Sequence, residues 1–251
     1  MLCACTPGCA NDAGIDPENL VDTCFCATFF KCMNKIRKTK AFLFDFDGTL
    51  VDTMHGYADI AGRLINEYHP EISFADGRRL YIETSGIPFC QQIEIITPSH
   101  PSNAETVRRF EEEKIAGFFA TKVDDDVRSS LAGMRALGYL VGVSSGNYPD
   151  LINDYVKREN VVFDIVMGYD HENKFEKGKT HFDFFLSKFK LEKNDITFVG
   201  DSLKDADKGY EYGIQFIGMR GLFSDSDFRA CYADVITVGS MKELFEALKN
   251  D

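Results

Sequence analysis

The sequence predicts an α/β fold in which a parallel sheet is covered by helices on both faces and interrupted by a helical insertion. Two observations predict it. Short, almost continuous apolar runs recur along the chain, first at Ala41-Phe42-Leu43-Phe44, then at 139–144, 161–167, 196–200, 214–218 and, more weakly, near Val235. Strands buried on both faces read this way. Between the runs lie stretches of helical periodicity, 126–137, 148–158, 180–190 and 203–212, and strands alternating with helices build a parallel sheet.

The alternation fails over 54–125, which has no strong strand pattern and several helical stretches, among them the charged segment 105–120. We read it as a helical insertion that Pro88, Pro98 and Pro101 divide into three or four short helices, because proline ends or kinks a helix. This divides the chain into a core (33–53 and 126–251), the insertion (54–125) and an N-terminal extension (1–32). The extension holds Cys3, Cys5, Cys9, Cys24, Cys26 and Cys32, six of the eight cysteines. Its Cys-x-Cys pairs are too closely spaced for the usual zinc site and have no histidine beside them, so the expectation is a disordered or non-native segment ahead of Met33.

Charge and hydropathy exclude some functions. A net charge of −12 offers no general attraction to phosphodiester backbones, so nucleic acid is not an expected partner. No apolar run approaches the roughly 20 residues of a membrane span, and the N-terminus lacks a signal-peptide pattern. The expected location is cytoplasmic.

The chemistry lies at two strand ends. Asp45-Phe46-Asp47-Gly48-Thr49 follows the first apolar run, and Gly200-Asp201-Ser202-Leu203-Lys204-Asp205 follows the fourth. Ligands of parallel α/β sheets bind at the carboxyl edge, where acids from two strands can converge. Clustered carboxylates repel unless something neutralises them, and oxygen ligands of this kind suit Mg²⁺, which also binds substrate phosphate. Alternation around Phe46 sends Asp45 and Asp47 to one side. One carboxylate can then attack phosphorus while its neighbour protonates the leaving group and later activates water. Gly48 allows the backbone to turn tightly against the phosphate.

With these motifs the sequence resembles the haloacid dehalogenase superfamily of phosphohydrolases, from about Ala41 to the C-terminus. Asp45 to Thr49 matches its first motif, Ser145 its second, Lys177 or Lys179 its third, and Gly200 to Asp205 its fourth. The resemblance implies a Rossmann-like five-stranded sheet in order 5-4-1-2-3 with an α-helical cap, similar to that of phosphoglycolate phosphatases and β-phosphoglucomutases. It implies Asp45 as nucleophile, Asp47 as acid and base, and Ser145 and the lysine as phosphate ligands, with Gly48, Thr49, Gly146 and Asn147 beside the substrate. Mg²⁺ would be held by Asp45, Asp201, the Asp47 carbonyl and, directly or at one remove, Asp205. Spacing to Asp201 favours Lys177, and Gly178 would let the chain turn between Lys177 in a loop and Lys179 in a helix. Ser85 and Gly86, in Thr84-Ser85-Gly86-Ile87-Pro88, match the substrate loop of that subfamily. The expected substrate is a small phosphate ester.

Several residues carry a plainer reading. Asp52 is expected to cap the helix that follows it. His171 and His181 are expected at the surface or as caps, the phenylalanines of 182–189 in the core, and Arg78, Arg79, Arg108 and Arg109 facing solvent. Gly178-Lys179-Thr180 imitates a P-loop, but Asn173 stands where that motif needs glycine. Dehalogenases and phosphonate hydrolases lack the second aspartate, here Asp47. A sugar phosphomutase is the enzymatic rival; its usual histidine falls at Tyr57. A non-catalytic phosphometabolite-binding protein is the rival of another class. A chain beginning at Met33 is expected to unfold at the same urea concentration as the full chain. A large loss of stability, or stoichiometric zinc bound only by the full chain, would show that residues 1–32 are structural.

Overall fold

The computed structural model describes residues 38–249; the expectations for residues 1–32 and for the start at Met33 lie outside them. Strand β1 (Ala41–Phe44) is the centre of the sheet, and all four of its residues are fully buried. Parallel neighbours flank it on both sides, β2 (Leu140–Ser144) and β4 (Ile196–Gly200), so that Ala41 faces Leu140 and Ile196 while Phe44 faces Val143 and Val199. With β3 (Ile165–Met167), β5 (Gln215–Met219) and β6 (Ile236–Val238), the parallel sheet runs β3-β2-β1-β4-β5-β6. The order implied by the resemblance is kept, and the weak run near Val235 adds a sixth strand outside β5.

The third strand is shorter than its apolar run. The Val161 amide closes the preceding helix by donating to the Val156 carbonyl, and Val162 is exposed. The Asp164 carboxylate accepts the Val141 amide at 2.8 Å, so residues 161–164 finish a helix and cap the sheet edge before pairing begins.

Four helices between β1 and β2 fill most of 54–125: α1 (Met54–Tyr68), α2 (Phe74–Glu83), α3 (Phe89–Ile96) and α4 (Asn103–Phe118). Pro88 stands at the start of α3, and Pro98 and Pro101 lie between α3 and α4. Tyr81, Phe89 and Phe110 join α2, α3 and α4, the Phe89 and Phe110 rings lying 4.0 Å apart. Asp52 does not cap α1. The cap position belongs to Thr53, whose hydroxyl turns away to Asp47, while Asp52 is exposed.

The remaining helices are α5 (Asp125–Ala136), α6 (Pro149–Arg158), α7 (Lys179–Phe189), α8 (Leu203–Tyr212), α9 (Asp225–Cys231) and α10 (Met241–Lys249). Phe182 and Phe185 of α7 are fully buried against the sheet, with Phe182 edge-on to Phe198 of β4. Arg78, Arg79, Arg108 and Arg109 pair with acids on or near their own helices.

His181 departs from the surface position expected for it. It is fully buried, its Nε2 donates to the Gly168 carbonyl at 3.2 Å, and its Nδ1 accepts from the Ser144 hydroxyl at 2.9 Å. Its place on α7, one residue before Phe182, turns it to the sheet and not to solvent. His171 is exposed, as expected, beside the Tyr169 hydroxyl. Burial holds the His181 imidazole down to about 4, from an ordinary value of 6.5. The unfolded chain therefore takes up a proton between pH 6.5 and 4 that the folded chain refuses, and stability should fall as pH drops through that window, by about 3 kcal/mol in the limit. Urea unfolding across this range should show that slope in the wild type and a flatter one in His181→Asn. Parallel slopes would dismiss the linkage.

Candidate active site

The sheet order fixes where the acids meet. From β1 the chain moves outward through β2 and β3, then returns to the other side of β1 as β4, leaving a crevice at the carboxyl ends of β1, β2 and β4. Asp45 extends β1 by one ladder bond, its amide donating to the Val199 carbonyl at 2.8 Å. Asp201 leaves β4 beside it. Ser202 caps α8: its Oγ accepts the Asp205 amide at 3.1 Å and donates to Asp205 Oδ2 at 2.6 Å, which holds Asp205 in the first turn facing the other two acids.

One carboxylate oxygen each of Asp45, Asp201 and Asp205 lies within 4.8 Å of the others, and all three residues are buried. Lys177, whose side chain is 7% exposed, bridges two of them, with Nζ 2.6 Å from Asp45 Oδ1 and 2.6 Å from Asp205 Oδ1. Burial pushes the Asp45 carboxyl up to about 6, against the pull of Lys177 and with the repulsion of Asp205 added. Burial, then Asp45 and Asp205, raises Asp201 well above the usual carboxylate range. Burial alone would lower the Lys177 ammonium, but the charges of Asp205 and Asp45 override it and raise it. Three carboxylates against one ammonium leave two negative charges uncompensated, and the donors are all hard oxygens. That set fits a divalent cation.

Asp47 stands in different surroundings. Its Oδ1 accepts from the Thr53 hydroxyl at 2.7 Å and its Oδ2 from Asn147 Nδ2 at 2.6 Å. Phe46 points the opposite way, buried against Phe118 and Tyr155, so the alternation expected from the sequence holds. Gly48 has φ +78°, and a Cβ there would lie 2.1 Å from Asp201 Oδ2, so any side chain would strain the backbone and displace Asp201. Thr49 Oγ1 reaches Asp201 Oδ1 at 3.5 Å.

Asp45, Asp47, Lys177 and Asp201 line a cavity of about 160 Å³, together with Gly146, Asn147, Ser85 and Gly86. Ser145, Thr49 and Asp205 are buried behind that wall and do not line it; the Ser145 hydroxyl accepts the Asn147 amide at 3.1 Å. The 84–88 loop is tied to the core by Lys208, whose Nζ donates to the Gly86 carbonyl at 2.8 Å. Gly178, with φ +113°, separates the two lysines. Lys177 turns inward, whereas Lys179 begins α7 with its side chain 77% exposed and paired to Asp183.

Two cavity residues were not singled out as ligands by sequence reasoning. Lys114 Nζ donates to Asn147 Oδ1 at 2.5 Å and lies 5.4 Å above the Tyr57 ring. The signal was present: Lys114 falls four residues after Phe110 and four before Phe118, on the buried stripe of α4, where a lysine is out of place. Tyr57 itself is buried against the cavity, and burial, then the charge of Asp47, raises its phenol so that it stays neutral.

Residues 42–219 match the family model of the haloacid dehalogenase-like hydrolases. The chain belongs to that family. Its fold is shared by solved structures at low identity. A haloacid dehalogenase-like family hydrolase from Streptococcus pneumoniae is 19% identical, with 84% of this chain and 99% of that one covered at a TM-score of 0.69. A predicted phosphoglycolate phosphatase from Haemophilus somnus is 16% identical, with 83% and 97% covered at a TM-score of 0.65. A candidate β-phosphoglucomutase from Bacteroides vulgatus is 17% identical, with 89% and 99% covered at a TM-score of 0.68. Among curated proteins the sequence finds no match. Members of this family typically use a metal ion, in keeping with the buried acids described above.

Removing the ammonium from this cluster should be costly in the absence of divalent metal. Lys177→Ala is expected to lose about 3 kcal/mol of stability, as breaking a buried ion pair does, and Lys179→Ala to change it by less than about 0.5 kcal/mol. Urea unfolding of both in a chelator checks this, and equal effects would contradict the assignment.

Proposed function

We propose that this hydrolase removes phosphate from a small-molecule phosphomonoester in two steps, with Asp45 as nucleophile and Mg²⁺ as cofactor. The observation that carries the reading is the contrast between two carboxylates on one cavity wall. Asp45 lies among charges, held by Lys177, whereas Asp47 is held by the neutral donors Thr53 and Asn147. Two like groups in unlike surroundings suit two roles.

In the first step an Asp45 oxygen attacks phosphorus, the phosphorus–oxygen bond to the ester breaks, and Asp47 gives a proton to the departing alkoxide. In the second, Asp47 takes a proton from water as its oxygen attacks the aspartyl phosphate, releasing inorganic phosphate and the Asp45 carboxylate. In this scheme Lys177, on the cavity wall, holds the phosphate oxygens, and Ser145 joins it by releasing the Asn147 amide and turning to the cavity. Asp45, Asp201, Asp205 and the Asp47 carbonyl would hold the ion, which when bound offsets negative charge on the phosphoryl group.

Residues 54–125 act as a cap over the described part of the core, 38–53 and 126–249, and Ser85, Gly86 and Lys114 meet the organic part of the substrate. Among the described residues no helix is long and apolar enough to cross a membrane, which accords with a cytoplasmic enzyme acting on dissolved metabolites. The alternative of a phosphomutase is less favoured, because Tyr57, a neutral phenol, stands at the place where the resemblance puts a histidine in mutases.

Phosphate release from a panel of phosphorylated metabolites, measured beside conversion of sugar 1-phosphate to sugar 6-phosphate, tests the reading. Release should require Mg²⁺, vanish in Asp45→Asn and fall about 10²- to 10⁴-fold in Asp47→Asn. Sugar phosphate conversion without net release would favour the mutase, and turnover retained by Asp45→Asn would sink the mechanism.

A further inference from the structure

A second group of ligating side chains lies away from the cavity. His69 follows α1, Glu71 comes two residues later and His100 lies in the turn before α4. One ring nitrogen of each histidine and one Glu71 oxygen all lie within 4.8 Å of one another. Met54, at the other end of α1, lines the cavity, so the group sits about 20 Å from it along the helix at 1.5 Å per residue.

The neighbours of His69 fix its proton. Thr106 Oγ1 donates to the Ser102 carbonyl at 2.9 Å, so toward His69 Nε2, 3.3 Å away, it can only accept. The His69 proton is therefore on Nε2 and its lone pair on Nδ1. That Nδ1 is fully buried, and no described residue donates to it. A buried acceptor without a donor is unfavourable. An imidazole whose far nitrogen is anchored by an oxygen and whose near nitrogen is bare is arranged as metal-bound histidines are. The His100 ring stands edge-on to His69 at 4.4 Å, and its Nδ1 accepts only a 3.2 Å contact from the Ser102 amide. Glu71 is exposed and His100 half-buried, which leaves an ion a way in.

We propose that His69, His100 and Glu71 form a second metal site, for a borderline transition ion such as Zn²⁺, that ties the end of α1 to the turn ahead of α4. Two imidazoles and a carboxylate with a water in the fourth place are a zinc ligand set. Mg²⁺ prefers oxygen donors alone, so the two sites would sort their ions by chemistry.

The test is a Co²⁺ titration of the full chain with its cysteines alkylated and Mg²⁺ in excess over the carboxylate cluster, followed by thermal unfolding with and without Zn²⁺. The wild type should bind one equivalent of Co²⁺ with weak d–d absorption and melt higher in Zn²⁺. Glu71→Gln should bind about tenfold more weakly or worse, and His100→Ala should lose both the absorption and the Zn²⁺ shift. Glu71 is at the surface, so its variant reports even if the His100 variant folds poorly. No bound equivalent in the wild type, or undiminished affinity in both variants, would overturn the proposal.

Discussion

The contact on which the site depends is the Lys177 ammonium set between Asp45 and Asp205, 2.6 Å from each. Carboxylates at the ends of two adjacent strands and in the first turn of a following helix repel one another, and burial makes that repulsion stronger. Without a buried cation, the carboxyl ends of β1 and β4 could not both carry acids at this depth. Lys177 comes from neither strand. It arrives from the loop after β3, and the crossover of the chain from the β3 edge to β4 carries it over the crevice. The same crossover makes that crevice. Ser202 completes the arrangement, since one hydroxyl both caps α8 and holds the Asp205 carboxylate for Lys177.

The charge left over gives the cluster its chemistry. One ammonium cannot balance three carboxylates when all are ionised, and burial first, with the neighbouring acids added, raises Asp45 and Asp201. A chain with a net charge of −12 has no general attraction for an anion, so binding of the proposed phosphate ester would rely on local positive charge. Lys177 supplies it from the core and Lys114 from α4. Lys114 reaches Asn147, which in turn holds Asp47, so a side chain of the helical segment is linked through one amide to the proposed acid and base.

Polar groups elsewhere are placed with similar economy. Thr53 leaves α1 without a side-chain cap and gives its hydroxyl to Asp47, a local loss of helix stability in exchange for orienting a carboxylate. Ser144, one residue before Ser145, donates to His181, which fixes the imidazole tautomer and pins α7 to the end of β2. Such fully paired polar contacts hold neighbouring backbone in one arrangement.

Much of this was legible in the sequence because it depends on local order. Apolar runs gave the strands, since a strand buried on both faces has no room for polar residues, and alternation around Phe46 put Asp45 and Asp47 on one side. The two acidic motifs, each after such a run, marked the sheet edge where they meet. What the tertiary structure alone decided are matters of depth and partnership between distant segments. Spacing and Gly178 already favoured Lys177 over Lys179, but that Lys177 bridges two buried acids while Lys179 stays exposed is a matter of depth that only the folded chain decides. His181 looked like a surface or capping residue until α7 turned it onto β2. Asp52 looked like a cap until Thr53 took the position and spent its hydroxyl elsewhere. Lys114 looked like one more charge on a charged helix, and His69 and His100, 31 positions apart, showed no ligand spacing at all. Their meeting depends on how α1 and α4 pack, which is set by the sum of many side-chain contacts and not by any local pattern.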